Sequence, residues 1–161
     1  MNGAYTVFTN AGELLPLSLL KQDAHPIGKR IIARQTAGEV TRMMEMAAMI
    51  GGTAPRAQVP GYRVAGKTGT AHKAEGGGYA EHKYVASFVG FGPVTNPRFI
   101  VAVMIDEPQG VKYYGGDVGA PVFSSVMGAA LRMMSVPPDA PGTMNVMAPA
   151  PETPGAKKVA G

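Results

Sequence analysis

The chain has 161 residues and is 45% hydrophobic, which is the size of one domain with enough apolar side chains to form a core. Its sequence contains no cysteine, so disulfide bonds and thiol catalysis are excluded. The formal net charge of +4 is mild, and no basic run is interleaved with aromatic residues, so a nucleic-acid partner is not expected.

The N-terminal segment predicts the end of a helix followed by an extended edge segment. Residues 3–9 carry apolar side chains at helical spacing, and residues 10–12 form a turn signal. Residues 14–21 include Pro16 and several leucines, which favours a packed edge strand. Ser18 and Lys21 have the S-x-x-K spacing of a nucleophile motif, but a strand would place them on opposite faces. We therefore do not expect them to be catalytic.

A helix is expected to follow. Thr36 and Glu39 have the spacing of a capping box at its start, and Gly51 and Gly52 form its stop signal. The methionines of this helix are predicted to fill the core. Its predicted buried face consists of Val40, Met43, Met44 and Ala47.

Three strands with short connections predict an antiparallel meander. Residues 62–70 have strand character, and residues 84–91 form the next strand. Residues 98–106 are apolar on both faces, which predicts a central, covered strand. Residues 72–83 are polar around a triple glycine at positions 76–78, so we expect a flexible hairpin connection there.

The last helix is predicted to begin at Pro121, because proline favours the first helical position. Its predicted buried face consists of Val122, Val126, Ala129, Ala130 and Met133. Residues 140–161 are rich in Pro, Ala and Gly and are predicted to be disordered, which leaves residues 1–139 as the folded part. The predicted fold is α+β, an antiparallel sheet of the meander plus the edge segment, flanked by helices.

Metal binding is not predicted. His25, His72 and His82 lack a paired spacing with each other or with acidic residues that would form a metal site. Surface or packing roles are expected for the three histidines, and no cofactor is predicted.

Residues 61–70 fit two known motifs that imply different chemistry. Residues 61–68 have the P-loop spelling G-x-x-x-x-G-K-T, and the apolar strand ending at Asp106 and Glu107 resembles one that holds Mg²⁺. A P-loop requires a strand before its first glycine and a helix after Lys-Thr. Here strand-like residues fill the loop position, and Gly69 follows Thr68. Nucleotide binding is therefore retained only as the alternative.

The preferred interpretation is Lys67-Thr68-Gly69-Thr70 as the Lys-Thr-Gly motif of penicillin-recognising enzymes. On a strand lining a cleft, Lys67 supplies positive charge for a carboxylate, and the hydroxyls of Thr68 and Thr70 can bond it. Gly69 lets a peptide lie against the backbone, and a free edge N–H can polarise a carbonyl.

Further motifs along the sequence extend the match to penicillin-recognising enzymes beyond Lys67-Thr68-Gly69-Thr70. From about residue 3 to residue 139 the chain resembles the C-terminal part of the transpeptidase domain, a β-lactamase-like fold, of a division-specific class B penicillin-binding protein. That family contains the septal peptidoglycan D,D-transpeptidase of Gram-negative bacteria. The motifs that carry the resemblance are Tyr62-Arg63-Val64-Ala65-Gly66-Lys67-Thr68-Gly69-Thr70-Ala71, Pro97-Arg98-Phe99, Tyr113-Tyr114-Gly115-Gly116 and Ala120-Pro121-Val122-Phe123.

The resemblance implies a serine enzyme that acylates itself on a stem peptide ending in D-Ala-D-Ala and passes the acyl group to an amine. It implies that Lys67, Thr68 and Thr70 hold the substrate carboxylate, with Gly69 between them and the N–H of Thr70 in the oxyanion hole. It also implies an aromatic wall, with loop packing as the alternative role for its residues: Tyr84, Tyr113 and Tyr114.

The partners implied are the stem peptide, β-lactams, division proteins and the N-terminal part of the parent enzyme. By the same resemblance, the parent is anchored in the bacterial inner membrane with this domain in the periplasm. No apolar run in the chain itself approaches the ~20 residues of a membrane helix.

The chain departs from the family in lacking a credible S-x-x-K and any S-x-N. We therefore expect it to be a fragment that is inactive alone, because the nucleophile is missing. An unpaired sheet edge is expected as well, with possible self-association through it. A non-catalytic binding or assembly module remains a further alternative.

Overall fold

The computed structural model of the chain describes residues 2–24, 26–75 and 78–143. The helices in these ranges are α1 (Asn2–Thr9), α2 (Arg34–Ala48) and α3 (Gly115–Met133). The strands are β1 (Glu13–Leu14), β2 (Lys29–Arg30), β3 (Ala65–Glu75), β4 (Gly78–Gly92) and β5 (Phe99–Asp106). None of the helices in the described ranges combines the length and apolar character needed to cross a bilayer.

The predicted antiparallel meander is confirmed. β3, β4 and β5 pair in that order, with Thr68 opposite Phe88 and Phe88 opposite Val103. β1 and β2 form a separate two-stranded antiparallel sheet. This mixture of helices and antiparallel strands confirms the α+β fold class.

The three-stranded sheet is covered on both faces. Because side chains alternate along a strand, Phe88 points to the face covered by α3 and packs edge-to-face on Phe123 at 4.8 Å between ring centroids. Phe91 points to the opposite face, where it packs with Ala65 and with Met44 of α2. The motif strand β3 is therefore held between the helices on the two sides.

The prediction for residues 14–21 is wrong beyond Leu14. Only Glu13–Leu14 is a strand, because β1 ends where its partner β2 begins at Lys29. The leucines that were expected to pack are exposed: Leu17 at 68%, Leu19 at 105% and Leu20 at 79%. A hydrophobic sequence alone thus did not indicate burial, because these leucines lie beyond the two-residue pairing of β1 with β2.

The start and the buried face of α2 also differ from the prediction. The helix begins at Arg34, its N-cap is Ala33 without a side-chain hydrogen bond, and Thr36 lies inside it. Met43 is exposed, and of the four predicted core positions only Met44 is buried. The buried residues are Ala37, Met44, Glu45 and Ala48. The charge of Glu45 hid this face from sequence-based prediction, because its burial depends on Arg63, which lies just before β3.

The hairpin at residues 72–83 is more regular than predicted. β3 continues to Glu75 and β4 begins at Gly78, so most of the expected loop is strand. Gly76, Gly77 and His25 lie outside the described residues.

β5 is an edge strand rather than a central one, because β4 is its only partner among the described strands. Its Met104 is 60% exposed.

The last helix begins six residues earlier than predicted, at Gly115, and Pro121 lies inside it. The predicted face is exposed: Val122 at 43%, Val126 at 47% and Met133 at 83%. Buried instead are Gly115, Gly116, Gly119, Ala120, Phe123, Met127, Gly128 and Leu131. The glycines at the start of α3 allow it to approach the sheet closely, and that contact selects the other apolar face.

The segment after α3 returns to the beginning of the motif strand. The hydroxyl of Tyr62 donates to the carbonyl of Val136 at 2.7 Å, and the backbone N–H of Arg63 donates to Asp139 Oδ1 at 2.7 Å. Residues Pro141–Thr143 form a 3₁₀ turn. The rest of the predicted disordered tail, residues 144–161, lies outside the described residues.

Candidate active site

The Lys-Thr-Gly-Thr sequence lies on β3, at one edge of the three-stranded sheet. The chain turns at Gly61, whose φ is +87°. The strand then extends from Ala65 to Glu75, so the residues after Thr68 continue the strand and do not begin a helix. A P-loop would need a helix after Thr68, so the structure contradicts the P-loop alternative. The residues form instead a strand edge beside a cavity.

Thr68 and Thr70 point into the same cavity. They are two positions apart on a strand, so their side chains share the face that α3 covers. The cavity has a volume of about 350 Å³ and is lined by Thr53, Pro55, Arg56, Thr68, Thr70, Tyr114, Gly115, Gly116 and Asp117. Both threonine side chains therefore line one space, where their hydroxyls can serve as donors to a carboxylate.

The first turn of α3 contacts the motif strand through its backbone. The N–H of Gly115 donates to Thr70 Oγ1 at 3.1 Å. A Cβ on Gly115 would overlap the carbonyl oxygens of Ser87 and Gly69, and one on Gly116 would overlap that of Thr53. Because a hydroxyl both accepts and donates, Thr70 can accept from Gly115 and still donate its own hydrogen to a ligand.

Lys67 and Gly69 lie on the other face of β3. The ammonium of Lys67 donates to the carbonyl of Thr68 at 3.0 Å, and the side chain is exposed. The structure therefore brings Thr68 and Thr70 together but places Lys67 across the strand from them. A Cβ on Gly69 would lie 2.5 Å from Ser87 Oγ, so the glycine is also required by its neighbour on β4.

Aromatic rings form a row beside the cavity. Tyr84 and Tyr113 stack at 4.1 Å between centroids with an interplanar angle of 14°, and Tyr113 contacts Tyr114 at 4.5 Å. The hydroxyls of Tyr113 and Tyr114 lie 3.2 Å apart, and the hydrogen bond between them raises the pKa of Tyr114. The structure thus brings together the three tyrosines that the sequence singled out.

Sequence reasoning missed His72 and Arg56. His72 pairs across the strands with Tyr84, 4.5 Å between ring centroids, and extends the aromatic row. The sequence could have indicated the position of His72, because Thr68, Thr70 and His72 alternate on one face of a strand. Arg56 reaches the cavity from the 3₁₀ turn Pro55–Ala57, and no sequence pattern connects that turn to β3.

A lysine of β3 forms ion pairs with the acidic residues at the end of β5. Lys73 Nζ lies 2.7 Å from Glu107 Oε1 and 3.0 Å from Asp106 Oδ1. Hydrogen bonds to Glu107 and then Asp106 raise the pKa of Lys73. The two acids that resembled a Mg²⁺ site are thus paired with an ammonium across the sheet.

Ser18 has no arrangement suited to catalysis. Its Oγ donates to the carbonyl of Leu20 at 2.9 Å and accepts from Gln22 Nε2 at 2.9 Å. The segment is not helical, so Ser18 and Lys21 do not have the one-turn relation that a serine and its base require.

Comparison with known proteins agrees with the motifs. The profile of the penicillin binding protein transpeptidase domain matches residues 1–128. The probable peptidoglycan D,D-transpeptidase PenA of Neisseria gonorrhoeae is 49% identical over 140 residues, which are 87% of this chain and 24% of that protein. The peptidoglycan D,D-transpeptidase FtsI of Escherichia coli K12 is 43% identical over 136 residues, 84% of this chain and 23% of that protein. The chain therefore spans about a quarter of the length of these two relatives.

A solved structure shares the fold. The apo structure of the TP domain of penicillin-binding protein 3 from Burkholderia pseudomallei aligns with a TM-score of 0.79 and 47% identity, covering 85% of this chain and 42% of that one. Together with the family profile over most of the sequence, this likeness shows that the chain belongs to the penicillin-binding protein transpeptidase domain family.

Proposed function

We propose that this chain provides the carboxylate-binding wall and the oxyanion-hole amide of a serine-type peptidoglycan D,D-transpeptidase. The observation that supports this proposal is the pair Thr68 and Thr70, whose side chains line one cavity from an edge strand. A stem peptide ending in D-Ala-D-Ala presents a carboxylate to such donors, and a β-lactam presents an equivalent carboxylate.

Each residue of the motif has a distinct task in this proposal. Thr68 and Thr70 donate hydrogen bonds to the terminal carboxylate. The ammonium of Lys67 stabilises the charge of this carboxylate electrostatically from the other side of the strand. The N–H of Thr70 stabilises the oxyanion that forms when the serine attacks the peptide carbonyl. Tyr84, Tyr113 and Tyr114 form a wall along the acyl side chain.

The covalent steps need a serine from outside this chain. Its oxygen attacks the carbonyl carbon of the penultimate D-Ala, the C–N bond to the terminal D-Ala breaks, and the leaving amine takes the proton. An amine of a neighbouring stem peptide then displaces the serine. We infer that the chain alone is inactive, because Ser18 has no suitable base and is bonded to its own segment.

The proposed place of action is the periplasm, where stem peptides are cross-linked, with the parent enzyme held in the inner membrane and associated with division proteins. The relative FtsI is described as a peptidoglycan D,D-transpeptidase, which agrees with action on the cell wall.

Intact-mass measurement after incubation with benzylpenicillin tests the inactivity of the chain. We expect the mass of the 161-residue chain to remain unchanged. A stoichiometric penicilloyl adduct on this chain would show that it has its own nucleophile and would contradict the proposal.

A chimaera tests the role of the motif. This chain replaces the matching part of the Burkholderia pseudomallei TP domain, and the rate of acylation by benzylpenicillin is followed by mass. Thr70→Val removes one donor to a charged group, so we expect acylation to slow about tenfold or more. Thr36→Val, at an exposed position of α2, is the matched control. Equal rates for the two variants would exclude a carboxylate-binding role for Thr70.

A further inference from the structure

Pro121 leaves a backbone carbonyl of α3 without its intrahelical donor. In a regular helix the N–H of residue 121 would donate to the carbonyl of Asp117, but proline has no such hydrogen. Its ring also pushes this carbonyl away from the helix axis. The carbonyl of Asp117 therefore lacks the usual donor within its own helix and is open to one from another part of the chain.

Arg56 supplies this donor. Its Nη1 lies 2.9 Å from the carbonyl oxygen of Asp117, although the two residues are 61 positions apart in the sequence. Arg56 lies on the short turn Pro55–Ala57, and the flanking Ala54 and Ala57 are fully buried. The guanidinium is thus presented from a turn that the core holds in place.

The carbonyl that Arg56 holds belongs to the turn of α3 that contacts the Lys-Thr-Gly-Thr strand. Gly115 bonds Thr70 Oγ1 on one side of this turn, and Gly116 lies against the carbonyl of Thr53 on another. The N–H of Asp117 donates to the carbonyl of Tyr114 at 2.8 Å, which links the aromatic row to the same turn. A shift of this turn would therefore move the N–H that orients the Thr70 hydroxyl.

We propose that Arg56 is a positioning residue: it holds the first turn of α3 through the carbonyl that Pro121 leaves open, and so orients the hydroxyl of Thr70. The consequence for ligand binding rests on the proposed function, whereas the structural coupling of Arg56 to Pro121 does not. Direct contact between Arg56 and a ligand is a different role, and the same variants distinguish it.

A double-mutant cycle on the whole 161-residue chain tests the coupling. The variants are Arg56→Ala, Pro121→Ala and both together, and hydrogen exchange of the Gly115 amide is measured by NMR. We expect Arg56→Ala to speed this exchange by about threefold to tenfold, as for the loss of one hydrogen bond. Pro121→Ala restores an N–H for Asp117, so Arg56→Ala should have little further effect in that background.

Arg42→Ala is the matched control, because Arg42 is exposed on α2 and lies outside the cavity. This variant removes the same charge and should leave the Gly115 amide unchanged. Equal effects of Arg56→Ala and Arg42→Ala, or an undiminished effect of Arg56→Ala beside Pro121→Ala, would overturn the inference.

The chimaera with the Burkholderia pseudomallei domain provides the functional measurement. We expect Arg56→Ala to slow acylation by benzylpenicillin severalfold and Pro121→Ala to rescue it. Slow acylation without rescue would instead indicate direct ligand contact by Arg56 and would overturn the positioning role. If no chimaera is acylated but the amide-exchange cycle behaves as expected, the proposed function fails while the coupling stands.

Discussion

Glu45 and Arg63 join α2 to the start of the motif strand. Arg63 Nε donates to Glu45 Oε1 at 2.6 Å and Nη2 donates to Oε2 at 2.8 Å. The Glu45 side chain is only 9% exposed, whereas that of Arg63 is 42% exposed. The hydrogen bond to Glu45 is the main cause that raises the pKa of Arg63. The two-pronged geometry supplies the donors that a desolvated carboxylate needs.

We predict that Arg63→Ala lowers the free energy of unfolding by about 3 kcal/mol, because it leaves the buried carboxylate of Glu45 without its cation. Arg30→Ala is the control, because both side chains of its ion pair with Glu13 are exposed, 53% for Arg30 and 40% for Glu13. That control should cost less than about 1 kcal/mol. Urea unfolding measures both values, and equal losses would show that the burial of Glu45 has no energetic weight.

At the scale of elements, glycine decides how closely α3 approaches the sheet. The helix has apolar residues on both faces, and the larger buried side chains Phe123, Met127 and Leu131 follow the face that begins with glycines. Gly115 lies against the carbonyls of Gly69 and Ser87, where a methyl group has no room. Backbone contact at this point joins the helix to the motif.

We predict that Gly115→Ala lowers the free energy of unfolding by about 2 kcal/mol, as overpacking against backbone does. In the chimaera it should also slow penicillin acylation, because the first turn of α3 must move away from Thr70. Gly38→Ala in α2 is the matched control: a Cβ there meets nothing within 4 Å. It should stabilise the chain by about 0.5–1 kcal/mol, because alanine favours a helix. Thermal unfolding measures the change in stability of both variants. An unchanged stability of Gly115→Ala would contradict the close packing of Gly115.

At the scale of the whole molecule, the chain presents surfaces that usually have a partner. β5 has a free edge among the described strands, and the segment from Leu17 to Leu20 exposes its leucines. The chain covers 42% of the Burkholderia pseudomallei domain that it resembles. Open edges with apolar side chains favour association with another strand.

We predict that the isolated chain self-associates through the edge of β5 in a concentration-dependent way. Met104→Lys places a charge on this edge strand, where Met104 is 60% exposed, and should shift the equilibrium toward the monomer. Met133→Lys, at an 83% exposed position of α3, is the matched control and should not. Light scattering during size-exclusion chromatography measures the mass, and a monomer at high concentration would refute association.

The sequence by itself determined the strand that carries Lys67-Thr68-Gly69-Thr70, the antiparallel meander and the family, because alternation, turn residues and linked motifs are local signals. Only the tertiary structure decided which face of α2 and α3 is buried, that Pro121 lies inside a helix, and that Arg56 lies beside the motif. Those outcomes depend on contacts between distant residues, such as Glu45 with Arg63 and Gly115 with Ser87, which no local pattern contains.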